Sequence, residues 1–148
     1  MEIRELIQDE LENAFKLAWT VFQEYESPDY SEEGIQSFYD SLHNDEYVKM
    51  LRVYGAFEND NLIGIIATRT NGNHIALFFV DGRHHRKGIG KKLFEKVCLD
   101  NKSGFLTVNS SPYAVEVYHH LGFNDTKTEQ VTDGLRYTPM ICYHSKSI

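Results

Sequence analysis

Cysteine, proline and long apolar runs are all scarce here: 148 residues hold two cysteines and three prolines. Cys98 and Cys142 lie far apart with no Cys-x-x-Cys. That argues against a disulfide framework or redox pair and for small buried hydrophobes in a reducing compartment. No stretch approaches the roughly 18 apolar residues of a membrane span, and Met1-Glu2-Ile3-Arg4-Glu5 has no positive flank ahead of an apolar core, so the expectation is a cytoplasmic protein with no membrane partner. Positive charge is also short, with 15 Lys and Arg against 22 Asp and Glu, a net charge of -7 and a pI near 5.4. This balance argues against nucleic acid as a partner.

What is present suits a globular chain. Hydrophobic residues make up 41% and charged ones 25%; the length fits one domain, 1–148, able to bury a substantial core. Residues 2 to 7 alternate like a short strand. Leu11, Ala14, Phe15, Ala18, Val21, Phe22 and Tyr25 recur at helical spacing until Pro28 interrupts them. Ser31 with Glu32 and Glu33 reads as a capped helix start, and Ile35, Phe38, Tyr39 and Leu42 as that helix's stripe, ending near His43-Asn44. Strands are expected over 51–57, 62–70 and 74–80, joined by turns at Asn59-Asp60-Asn61 and Asn71-Gly72-Asn73. A helix over 88–100 and a strand over 104–109 follow. A helix from Ser111-Pro112 with a buried stripe of Ala114, Val117 and Leu121 comes next, closed by Gly122. Phe123 opens a strand, and Asp133-Gly134 turns a hairpin into a last strand over 139–144.

The most informative stretch joins strand 74–80 to the helix at Gly88. Between Gly82 and Lys92 stand Arg83, Arg86, Lys87, Lys91 and Lys92 with no acidic residue. A helix start offers unpaired N–H groups and the positive end of the peptide dipole, and Gly88 and Gly90 remove the side chains that would hold a phosphate away. The alternative is a solvated basic turn. A P-loop is set aside because Gly90-Lys91 is followed by Lys92 and not by a hydroxyl, and a dinucleotide fingerprint because Leu93 stands where a third glycine is needed.

The run His85-Arg86-Lys87-Gly88-Ile89-Gly90 resembles the acyl-CoA loop of the GCN5-related N-acetyltransferases, the GNAT family, written Gln/Arg-x-x-Gly-x-Gly/Ala. It departs in carrying His85 at the first position, with Arg86 one place later. The order strand, two helices, three strands, helix, strand, helix, two strands is similar to the family's over nearly the whole chain. The resemblance implies an α/β (α+β) fold with a mixed, mostly antiparallel central sheet flanked by helices, and a small single-domain N-acetyltransferase. It implies acetyl-CoA as the acyl donor, with His85, Arg86, Lys87, Gly88, Ile89, Gly90 and Lys91 at the CoA pyrophosphate and backbone groups near Phe79 and Val80 clamping the thioester arm.

Tyr118 stands four before Gly122 in Tyr113-Ala-Val-Glu-Val-Tyr-His-His-Leu-Gly-Phe123, similar to the family's Ala-x-x-x-Tyr-x-x-x-Gly-Phe. The resemblance implies a general acid for the CoA thiolate; the alternative is a core tyrosine. Asn109 matches an asparagine that binds the pantetheine arm, or is a loop residue, and Tyr113 lines the same groove. His74, six before Val80, is either the base that deprotonates the amine or a turn-end residue. Glu26 and Tyr30 lie in the acidic, aromatic segment 24–30 where relatives bind acceptors, which implies a small cationic primary amine as the small-molecule partner. The pairs His84-His85 and His119-His120 lack zinc spacing, so no metal is expected. A homodimer is compatible with the chain. Two other functions remain open: an acyl-CoA sensor of this fold without turnover, and an interaction domain whose loop binds nothing.

Overall fold

The computed structural model describes residues 1–144. Eight strands form the sheet: β1 (Glu2–Glu5), β2 (Arg52–Glu58), β3 (Asn61–Arg69), β4 (His74–Val80), β5 (Phe105–Ser110), β6 (Asn124–Asp125), β7 (Gln130–Thr132) and β8 (Leu135–Tyr143). Their order is β1-β2-β3-β4-β5-β8-β6, with β7 pairing β8 off that path. Every pairing is antiparallel except β4 with β5. This is the mixed, mostly antiparallel sheet expected.

Helices cover both faces. On one, α1 (Leu11–Val21) and α2 (Glu32–Leu42) bury Ala14, Ala18 and Leu42 against Ile65, Ala67, Leu77 and Phe79. On the other, α4 (Ile89–Asp100) and α5 (Val115–His120) bury Leu93, Val97 and Tyr118 against Ile66, Leu106 and Phe123. Adjacent Ile65 and Ile66 belong to opposite layers because successive strand residues point to opposite faces. The helix α3 (Asp45–Lys49), capped by the Asn44 side chain on the Tyr47 N–H, was not anticipated.

Local differences from the sequence reading have physical causes. The first helix does not run regularly to Tyr25. It widens at Phe22–Glu26 into a turn of π type and continues as a 3-10 turn at Ser27–Asp29. Phe22 is drawn inward there, stacked on Phe38 at 4.1 Å and on Tyr30 at 5.6 Å. Ser31 caps α2 as expected, accepting from the Gly34 N–H. Ser111-Pro112 does not start α5. The Ser111 hydroxyl and carbonyl both take the Ala114 N–H, closing a separate turn before the helix. With its first turn displaced, α5 centres its packed face on Tyr118, and Val117 is 50% exposed instead of joining a buried stripe. The last strand begins at Leu135, earlier than expected, because the Asp133-Gly134 turn extends both arms of its hairpin.

That hairpin is locked onto α2. Gly134 has φ +78, and a methyl group there would lie 2.5 Å from the Gly34 nitrogen and 2.9 Å from the Ser31 Oγ. The Ser37 hydroxyl donates to the Asp133 carbonyl at 2.8 Å, and Arg136 donates to the Asp29 carbonyl at 3.2 Å. Gly134→Ala should therefore cost about 2–4 kcal/mol, from left-handed backbone strain plus overpacking. Urea unfolding measures it, and a loss below about 0.5 kcal/mol would mean the hairpin does not dock this tightly.

Candidate active site

Sheet pairing creates the site. β4 and β5 are registered only at His74 with Thr107 and Ile75 with Val108. Beyond Ile75 the two strands diverge, and the edge of β4 from Ala76 to Val80 has no β5 partner. Such an edge is a template for an extended ligand that hydrogen-bonds as an added strand.

Two chambers open on this gap. One, of about 520 Å³, is lined by Val80, His85, Arg86, Gly88, Ile89, Gly90, Lys91, Tyr113 and Val117. The other, of about 440 Å³, lies between α2, the hairpin and the strand ends, lined by Tyr30, Tyr47, Arg69, Asn109, Ser111, Arg136 and Tyr137. Glu26, Phe78, Phe79, Ala114 and Tyr118 line both, so they form the junction.

The basic loop is shaped for an anion. Arg86 and Gly88 both take left-handed backbone, φ 65 and φ 79. Gly88 is the N-cap of α4, whose first intrahelical bond runs from the Lys92 N–H to the Gly88 carbonyl at 3.1 Å. The N–H groups of Ile89, Gly90 and Lys91 thus have no partner within the helix. The His85 Nε2 lies 2.7 Å from the Val80 carbonyl, to which it donates. That ring fastens the loop to the end of β4 and also lines the chamber. Arg86 and Lys91 face the chamber, whereas Lys87 lies in a separate depression and Arg83 is tied to Asp81 at 3.0 Å. The basic cluster therefore divides: Arg86 and Lys91 line this chamber, and Lys87 does not.

Tyr25 and Val117 are among the chamber residues that the sequence reading did not assign to the site. Tyr25 has its hydroxyl over Gly82 and its ring 4.8 Å from His85 and 5.5 Å from Tyr113, roofing the loop. Its signal was an aromatic within the acidic segment that had been assigned wholly to the acceptor. Val117 is exposed because it forms chamber wall; an apolar residue one step off a helix's buried face was the only hint.

Tyr118 is 6% exposed, with its ring 6.0 Å from Phe78 and 5.3 Å from Phe123. Among the described residues its hydroxyl has no hydrogen-bond partner, yet it lines both chambers. Burial, reinforced by the nearby Glu26 charge, pushes its pKa well above the usual phenol value, so it stays protonated. Glu26 is half-buried where the π-type turn meets the junction. Burial raises its pKa to about 7, against the opposing effect of the Ser111 hydroxyl beside it, with the Asp29 charge adding to the rise.

His74 is placed apart from this junction. Its Nδ1 lies 2.8 Å from the Thr107 hydroxyl at the closed end of the strand pair, and it lines neither chamber. Burial, with the Arg69 charge, lowers its pKa to about 4. The paired histidines diverge: His119 goes to Asp125 and His120 to the Glu116 carbonyl.

A family model described as an acetyltransferase (GNAT) domain matches residues 26–144. The chain belongs to the GNAT acetyltransferase family. Solved structures agree on the fold. A GCN5-related N-acetyltransferase from Rhodopseudomonas palustris is 17% identical, covering 96% of this chain and 94% of its own, with a TM-score of 0.80. The apo form of YjaB from Escherichia coli is 20% identical over 99% and 98%, TM-score 0.74. PaiA N-acetyltransferase from Thermoplasma acidophilum, solved in complex with coenzyme A, is 23% identical over 97% and 98%, TM-score 0.69. No curated protein matches the chain in sequence.

Proposed function

We propose that this protein transfers an acetyl group from acetyl-CoA to a primary amine that is cationic in solution, by direct attack. The observation that carries the proposal is the junction, where a protonated phenol and a carboxylate with a pKa about 7 meet beside an unpaired strand edge. Acetyl-CoA lies with its pyrophosphate on the N–H groups of Ile89, Gly90 and Lys91 and on Arg86, and its thioester arm along Ala76 to Val80. Backbone N–H groups near Phe79 and Val80 polarise the thioester carbonyl.

The acceptor enters through the other chamber. Glu26 takes one proton from the ammonium, and the neutral amine attacks the carbonyl. As the tetrahedral intermediate collapses, the carbon–sulfur bond breaks and Tyr118 donates its proton to the thiolate. The nitrogen's second proton then restores the phenol, so the net products are an amide, free CoA thiol and one proton on Glu26. His74, engaged by Thr107 and lining neither chamber, is a positioning residue at the strand junction in this scheme, and Glu26 replaces it as the base. A covalent carrier is disfavoured because burial pushes the Cys98 thiol up to about 11.

CoA binding tests the donor half. A saturating concentration should raise the melting temperature by mass action, and Gly90→Asp should abolish that rise. A methyl group at Gly90 would meet the Phe78 ring at 3.5 Å, an ordinary contact, and an acid in the first turn suits the helix dipole. The unliganded variant should therefore melt within a few degrees of the parent. No rise in the parent supports an interaction domain, and a rise with no product from a broad amine panel supports a silent acyl-CoA sensor.

A further inference from the structure

Four of the six arginines are held by carboxylates: Arg4 by Glu10 at 2.7 Å, Arg52 by Glu5 at 3.0 Å, Arg83 by Asp81 at 3.0 Å and Arg136 by Glu129 at 3.2 Å. The two without such a partner among the described residues each line one of the chambers: Arg86 the cofactor's, Arg69 the acceptor's. Arg69 closes β3, cross-strand from His74, and its Nε is buried with no hydrogen-bond partner. A donor of a charged group shut off from water and unpaired is costly, and native structures rarely keep one without a reason. The charge also acts on the half-buried Tyr47 hydroxyl, which lines the same chamber. Arg69 borders a second depression too, but there the Asp100 carboxylate joins the lining and Arg52 is already paired with Glu5 at 3.0 Å. On the cleft side the Tyr47 hydroxyl adds a second donor beside Arg69, so an anion there meets both.

We infer that the acceptor is a primary amine bearing a carboxylate, with the carboxylate held by Arg69 and Tyr47 while the amine faces Glu26. This rests on the acetyltransferase reading and narrows its acceptor. The two ends of the cleft carry opposite polarity, so a zwitterion is complementary along its length where a diamine would set a second ammonium against Arg69. From Phe78 at the junction to His74 beside Arg69 is four residues of strand, on the order of 13 Å. A short acceptor fits within that length.

The experiment compares ω-amino acids from glycine to 6-aminohexanoate with the diamine and alkylamine of matching length, using acetyl-CoA. The ω-amino acid of best length should exceed both counterparts in kcat/KM by at least about tenfold, the scale of one lost charged contact. Arg69→Gln should raise KM for that acceptor about tenfold or more, and should raise kcat/KM for the diamine by removing the like charge it faces. Arg69→Lys, which keeps the charge without the planar fork, should fall between and guards against a folding defect in the first variant. Preference for the diamine, or an equal effect of Arg69→Gln on all three classes, would overturn the inference. Absence of product from every class while acetyl-CoA still raises the melting temperature would overturn it too, leaving CoA binding intact. Absence of that rise would overturn the acetyltransferase reading beneath it.

Discussion

Tyr118→Phe should lower kcat by about 10²–10⁴-fold, the usual worth of a positioned acid, while CoA affinity stays within about twofold. The side chain's apolar contacts with Phe78 and Phe123 survive the change, and the hydroxyl has no protein partner to lose among the described residues. Folding stability should accordingly move by less than about 1 kcal/mol. Steady-state kinetics, CoA titration and urea unfolding on one preparation separate the roles. If affinity or stability falls while turnover per bound complex holds, the phenol is a packing residue.

Glu26→Gln should cost a similar factor in kcat/KM and erase a pH limb. A base with a pKa about 7 is mostly protonated below that value, so parental kcat/KM should rise about tenfold per pH unit toward 7 and level above it. The glutamine variant should lack that rise from the enzyme, and His74→Gln should keep it. A limb that survives Glu26→Gln and disappears with His74→Gln would return the base to His74.

Stability should move the opposite way to activity. The Glu26 pKa is raised on folding, so the folded protein holds this proton more tightly than the unfolded chain. Stability is therefore retained at pH 4, falls as pH climbs from about 4.5 to about 7, and stays lowered above that. Glu26→Gln should thus stabilise the protein at pH 8 by on the order of 1–3 kcal/mol and change little at pH 4. A base buried at that cost is the kind of site where activity and stability trade against each other.

Much of this was legible from local pattern. Strand 74–80 was read with the bounds observed, since its apolar run lies between two strong turn signals. Ser31 was read as a cap because a hydroxyl followed by two acids satisfies a helix start without reference to the rest of the fold. Gly88 was read through its role before a helix and proves to be left-handed. Errors fell where distant residues decide local form. The π-type turn at Phe22–Glu26 exists because Phe22 must stack on Phe38 and Tyr30, and no helical periodicity encodes that. Val117 was assigned to the core because periodicity identifies a stripe but cannot choose between two faces one residue apart.

The candidate site divides along the same line. A donor loop made of consecutive residues, its two glycines and the tyrosine four before Gly122 are short-range features, so the order of residues in the chain is enough to show them. The junction is not: Glu26, Phe79 and Tyr118 meet only because β4 and β5 separate after two paired residues and a turn far upstream delivers a carboxylate into the gap. The charge states of Glu26 and His74, and the lack of a carboxylate partner for Arg69 among the described residues, likewise follow from burial and from which carboxylates stand nearby. Those quantities depend on through-space neighbours in a low-dielectric interior, and sequence spacing carries no record of them.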